Sequence, residues 1–155
     1  MMDKKKIGLF ENISGRFVVS DPCYDAGTWC AGVLEGVKKG LWCAFVTYSD
    51  EGKFGIRISE LVAIYSALEK DVGMVAASFV VGVDSGQAGV FDAEHYKPKN
   101  KNWYYDCCDK TLSNEQAGII PYGVASSSGC GDGTYKCTYG VDNNGEIVKV
   151  CIKFI

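Results

Sequence analysis

A chain of 155 residues can bury roughly 70% of its unfolded surface in one domain, so neither metal nor disulfide is needed to hold it together. Hydrophobic residues make up 47% and charged residues 23%, which excludes a disordered or fibrous chain. The net charge is −3, and the basic residues are scattered apart from Lys4, Lys5 and Lys6 and the 97–101 segment; without a dense basic face, nucleic acid is not an expected partner.

In chain order, residues 1–15 read as a loosely packed N-terminal segment of a single domain spanning 1–155. They contain no long apolar run and no cleavage pattern, so a secretory signal is not expected. The run FVVS, Phe17 to Ser20, is β-type and stops at Asp21-Pro22, where proline fixes φ and withholds a donor. Leu41 to Tyr48 and Phe54 to Ile58 predict a hairpin turning over Ser49 to Lys53, with Gly52 free to take positive φ. Val62 to Ala67 either extends the second strand or forms a short helix with Leu61 and Leu68. Met74 to Asp84 is a near-continuous valine-rich run, the pattern of a central strand covered on both faces. It is too short to span a bilayer, and no membrane association is expected.

Trp103 to Leu112 predicts a short helix with Tyr104, Cys107, Cys108 and Leu112 on one side. The last segment alternates, with Tyr135, Cys137, Tyr139 and Val141 on one face and Val148, Val150, Ile152 and Phe154 on a face of the partner strand, joined by a turn over Asp142 to Gly145. The expected fold is mainly β, all-β or α+β, as an antiparallel sandwich or strongly curved sheet with one or two short helices.

Eight cysteines in a short chain would suggest disulfides in a secreted protein. Without an export signal, and with cysteines at apolar strand positions as in LWCAFV and VKVCIKF, reduced thiols and a cytoplasmic location are expected. The spacing has no Cys-x2-Cys pair and only one histidine, which argues against structural zinc.

Two segments share a grammar, VDSGQAGVFD and SSSGCGDGTYKC: a β-type run yields to serine, glycine and aspartate and resumes with an aromatic residue. Glycine there admits backbone conformations closed to other residues and lets a second chain or a ligand approach closely. If the two loops meet at one end of the sheet, Asp84, Ser85, Gln87, Asp92, Ser128, Gly131, Asp132 and Tyr135 line a polar ligand site, with Ser126 and Ser127 close by. Trp29, Trp42, Tyr122 and Tyr135 would edge it with aromatic surface. The competing reading is ordinary turn chemistry, in which aspartate and serine bond local backbone N–H groups. The DPCY turn, Asp21 to Tyr24, has the same two readings, with Asp21 joining the acidic group if its turn lies at that end.

DPCY, the following TWC at Thr28 to Cys30, GLW at Gly40 to Trp42, DSGQAG and GDGTY together resemble a small bacterial and phage family of unknown function, over about Phe17 to Phe154. The resemblance implies an intracellular single domain and ties the two glycine-rich loops to each other. It implies no activity.

Several chemistries lack their parts. A histidine-assisted nucleophile would have to use His95, and no Gly-x-Ser-x-Gly elbow surrounds Ser85. Asp106 and Asp109 flank Cys107 and Cys108 and oppose thiolate formation. Phosphate-cradling motifs are missing. A hard cation, calcium or magnesium on Asp84 and Asp132, is the natural complement of the acidic loops, although EF-hand spacing is absent. The expectation is therefore a non-catalytic binding module for a small polar molecule, sugar- or nucleotide-like, or for a host protein. The alternative is a hydrolase using Asp84, Asp132, Ser85 and His95, with or without a divalent ion. Exposed aromatics would also allow a homo-oligomer.

Overall fold

The computed structural model describes residues 3–99 and 102–155. Its strands are β1 (Asp3–Asn12), β2 (Arg16–Ser20), β3 (Gly32–Glu35), β4 (Gly40–Asp50), β5 (Ile56–Tyr65), β6 (Val75–Val83), β7 (Gln87–Asp92), β8 (Ala117–Ile120), β9 (Gly123–Ser127), β10 (Gly133–Val141) and β11 (Ile147–Lys153). One helix, α1 (Trp103–Thr111), interrupts the β succession. The strands form two antiparallel sheets, ordered β1-β4-β5-β11-β10-β6 and β3-β2-β7-β9-β8. The fold is thus mainly β with a short helix, as the strand patterns predict.

The inner faces of the sheets meet in one core. Trp42, Val46, Leu61 and Ile152 of the larger sheet pack with Phe17, Val19, Val90 and Val124 of the smaller one. Phe17 meets Trp42 edge-on at 4.9 Å, which adds a directed aromatic contact to the area they bury. A second core lies on the other face of the smaller sheet, where Val18, Phe91 and Ala125 pack against Trp103 and Cys107 of α1 and Tyr96. The smaller sheet is therefore covered on both faces.

Several expectations change. Residues 3–12 are not loosely packed: β1 pairs with β4 from Asp3 opposite Tyr48 to Asn12 opposite Gly40. Phe54 is not in a strand, since Gly52–Phe54 is a 3-10 turn and β5 begins at Ile56. Val62 to Tyr65 continues β5 as a strand because its neighbours β4 and β11 take up its backbone groups on both sides.

The valine-rich run is an edge strand. β6 ends the larger sheet beyond β10, with Val75 and Val80 exposed, so its apolar pattern does not come from cover on both faces. The strand that fits that description is β7, whose six residues are all buried between β2 and β9. In α1 the fully packed stripe is Trp103 and Cys107, whereas Leu112 caps the helix and is 85% exposed. The final hairpin forms as expected, except that a register shift at Gly140/Val141 leaves Val141 exposed.

Candidate functional site

The DPCY turn organises one end of the smaller sheet. Chain leaving β2 turns at once, with the Tyr24 N–H donating to the Asp21 carbonyl. The Asp21 side chain is fully buried and takes four hydrogen bonds. Its Oδ1 accepts from the Cys23 N–H at 2.9 Å and the Ser85 hydroxyl at 2.6 Å. Its Oδ2 accepts from the Asp84 and Ser85 N–H groups at 2.8 and 2.7 Å. A buried carboxylate needs such donors to offset its lost hydration. Asp21 thereby fixes the β6–β7 loop from more than sixty residues away in the chain.

The two glycine-rich loops do meet. Ser128 donates its N–H to the Gly86 carbonyl at 3.1 Å, and the Gly86 N–H donates to Asp132 Oδ1 at 3.0 Å. Gly86 takes positive φ, which its lack of a side chain allows without strain. Gly131 closes the other loop, its carbonyl accepting from the Ser128 hydroxyl at 2.8 Å and the Tyr135 phenol at 2.6 Å.

Helix α1 supplies the remaining wall. Tyr104, Cys108 and Thr111 fall at i, i+4 and i+7 and share one face. Gln87, fully buried at the start of β7, donates from Nε2 to Ser85 Oγ and to Cys108 Sγ, both at 3.3 Å, while its Oε1 accepts from the Thr111 hydroxyl at 3.2 Å. The Tyr104 phenol is drawn down by its hydrogen bond to Ser85 and pushed up by burial and by Cys108, with a net rise, so it remains a donor at neutral pH. Burial, reinforced by the Asp21 carboxylate, pushes the Cys23 thiol up to about 12. Cys23 is then a neutral thiol and a poor nucleophile. Asp84 extends an exposed carboxylate at the rim.

The predicted site residues divide into two places. Asp84, Ser85, Gln87, Ser128, Gly131, Asp132 and Tyr135 gather at this end. Asp92 and His95 do not: Asp92 closes the far end of β7, about 16 Å along a strand of that length. There the fully buried Asp92 accepts from the N–H groups of Ile13 and Ser14 and from the Ser14 hydroxyl. Its Oδ2 lies 2.6 Å from His95 Nδ1, and the His95 ring stacks on Tyr122 at 3.7 Å. The aromatic rim is corrected as well. Trp42 is a core residue, Tyr122 belongs to the far end, and Tyr135 packs edge-on against Phe154. Trp29 is 76% exposed beside Cys30, whose carbonyl accepts the Gly82 N–H next to the loop.

Sequence reasoning missed Tyr104, Cys108 and Thr111. Their i, i+4, i+7 spacing was available, but nothing in it says which sheet end the helix reaches. Among the described residues no three His, Cys, Asp or Glu side chains are grouped to hold a metal ion, and one oxygen of Asp132 accepts the Gly86 N–H. All eight cysteines are free thiols. Among the described residues no helix is long and apolar enough to cross a membrane.

No protein-family model matches the chain, and no curated protein or solved structure matches it either.

Proposed function

We propose that the loop end of the smaller sheet binds a small polar ligand rich in hydroxyl or amine groups, of sugar or nucleotide type, without transforming it. One observation carries this reading: the carboxylate of Asp21 is saturated by three N–H groups and the Ser85 hydroxyl. That arrangement holds Ser85, Gln87, Tyr104 and Cys108 in fixed positions before any ligand arrives, which lowers the ordering cost of binding. Asp84 supplies an exposed acceptor, and Trp29 supplies an open ring face for stacking. A cytoplasmic setting accompanies this reading, since free thiols persist in a reducing compartment.

The hydrolase alternative has less support. Asp84, Ser85 and Asp132 share one end, but Asp132 is engaged with Gly86 and His95 is held by Asp92 at the other end of β7. The test is mass spectrometry of small molecules released from the natively purified protein, followed by titration of those molecules against Trp29 fluorescence. Saturable quenching that Ser85→Ala and Trp29→Ala abolish, with the ligand recovered unchanged, is the expected result. Steady consumption of the ligand, or quenching indifferent to Ser85→Ala, would overturn the proposal.

A further inference from the structure

The smaller sheet is covered by α1, whereas the outer face of the larger sheet is covered at one end by the 71–74 segment, with Val72 and Met74 against Gly140. Directly opposed residues in antiparallel strands share a face, so the pairing registers give the composition of that surface row by row. One row carries Lys4, Thr47, Glu60, Lys153 and Lys136. The next carries Lys6, Phe45, Val62, Cys151 and Thr138, and a third brings Ile64 beside Lys149. Lysines scattered from position 4 to position 153 of the sequence converge on one face of a chain whose net charge is −3.

The centre of this face is apolar and its surroundings are cationic. Phe45 lies under the Lys4 ammonium at 4.6 Å, and Val62 is buried though it points outward, as expected where lysine stems lie over apolar neighbours. Lys149 is paired with Asp71 at 2.9 Å. Lys136 and Lys153 stand directly opposite one another across β10 and β11, a like-charge placement that destabilises a sheet. Among the described residues neither has a carboxylate within ion-pair distance. Glu60 stands opposite Lys153 on its other side and offsets that repulsion in part, while the other neighbour of Lys136 is Val80.

We propose that this face docks an acidic polypeptide segment of another protein, with carboxylates between Lys136 and Lys153 and along Lys4 and Lys6, and apolar side chains on Phe45 and Val62. Charge complementarity identifies the occupant. Nucleic acid fits less well, because the three rows offer a single aromatic ring, already under a lysine, and no arginine for stacking or bidentate phosphate contacts.

The probe is fluorescein-labelled poly-L-glutamate, titrated by anisotropy into the full-length chain and by amide NMR into its nitrogen-15 form. Expected are shifts confined to 4–6, 43–47, 60–64, 134–138 and 149–153, an affinity that falls as salt rises, and a loss of about tenfold or more in Lys136→Glu/Lys153→Glu. A cooperative melting transition and a dispersed amide spectrum show that the double variant is folded, and Ser85→Ala, at the loop end, should bind the probe unchanged. Shifts located elsewhere, equal affinity in the double variant, or tighter binding to oligothymidine or to phosphatidylserine vesicles than to poly-L-glutamate would each overturn the proposal.

Discussion

Replacing Asp21 by asparagine tests the architecture of the loop end. The side chain keeps its shape, but one of two acceptor oxygens becomes an NH2 donor. The most favourable orientation keeps the amide oxygen on the Asp84 and Ser85 N–H groups and turns the NH2 toward Ser85 Oγ, which can accept. The Cys23 N–H, now 2.9 Å from Oδ1, then faces a donor. One orphaned buried donor costs about 1–3 kcal/mol, and two charge-assisted bonds become neutral ones, so the sum is about 3 kcal/mol. For a chain of this size that lowers the melting temperature by about 6–12 °C. Asp21→Ala orphans three N–H groups and should cost about 5 kcal/mol. The control is Asp84→Asn, which keeps the clamped N–H of that residue and changes only its exposed side chain, expected to stay within about 0.5 kcal/mol. Urea denaturation measures the difference, and hydrogen exchange at the Asp84 and Ser85 amides locates it. If Asp21→Asn is no less stable than Asp84→Asn, or if those amides exchange at unchanged rates, the carboxylate is not the clamp.

Three further outcomes follow from the same structure. Burial pushes the Asp92 carboxyl up, but the hydrogen bonds from His95, Ser14 and Ile13 outweigh it and hold it below the usual carboxylate range. A depressed folded pKa gives stability that is present above the unfolded value near about 4 and lost as pH falls through the folded one. Acid denaturation curves of Asp92→Asn and the unmodified chain should therefore converge at low pH and separate near neutrality. Thiol labelling at pH 8 should reach the exposed Cys130 first, whereas Cys107 and Cys137, pushed up to about 12 by burial, should react only on unfolding, as peptide mass mapping over time will show. Gly89→Ala should cost about 3 kcal/mol by overpacking, because a Cβ there would lie 2.2 Å from the Val124 carbonyl oxygen and 2.4 Å from the Phe91 ring; denaturant midpoints measure it.

The hairpins were legible because alternation and turn chemistry are local: Leu41 to Tyr48 and the 135–154 segment needed only period two and a glycine-bearing turn. The position of a strand within its sheet was not. Met74 to Asp84 reads as an apolar run covered on both faces and Gln87 to Asp92 as part of a glycine-rich loop segment, yet the second is the buried strand and the first lies at the edge. Its Phe79 folds over Gly32, whose added Cβ would lie 2.0 Å from the ring, and Val81 enters the core, so the run is apolar through packing on one side. β7 carries glutamine and aspartate at its ends and is nevertheless buried throughout, because both polar side chains find partners supplied by distant segments. Periodicity records which residues avoid water; it does not record which neighbours satisfy the ones that do not. The lysine face was hidden for a similar reason, since register across five strands is needed to bring positions 4, 136 and 153 onto one face.

Asp21 and Asp92 show how one device yields two different surfaces. Both carboxylates are fully buried, and both sit on the β2–β7 ladder, Asp92 opposite Phe17 and Asp21 just past Ser20. Each holds a loop brought from far along the chain, residues 84–85 by Asp21 and residues 13–14 by Asp92. At the Asp92 end the remaining carboxylate oxygen meets His95, which Tyr122 covers by stacking; the clamp there is closed by the residues that form it. At the Asp21 end the clamp passes through Ser85 into Gln87 and then to Cys108 and Thr111 of α1, a chain of hydrogen bonds beside the exposed Asp84. Burial of charge at both ends secures the ladder, and at the Asp21 end the same device also ties the helix to it.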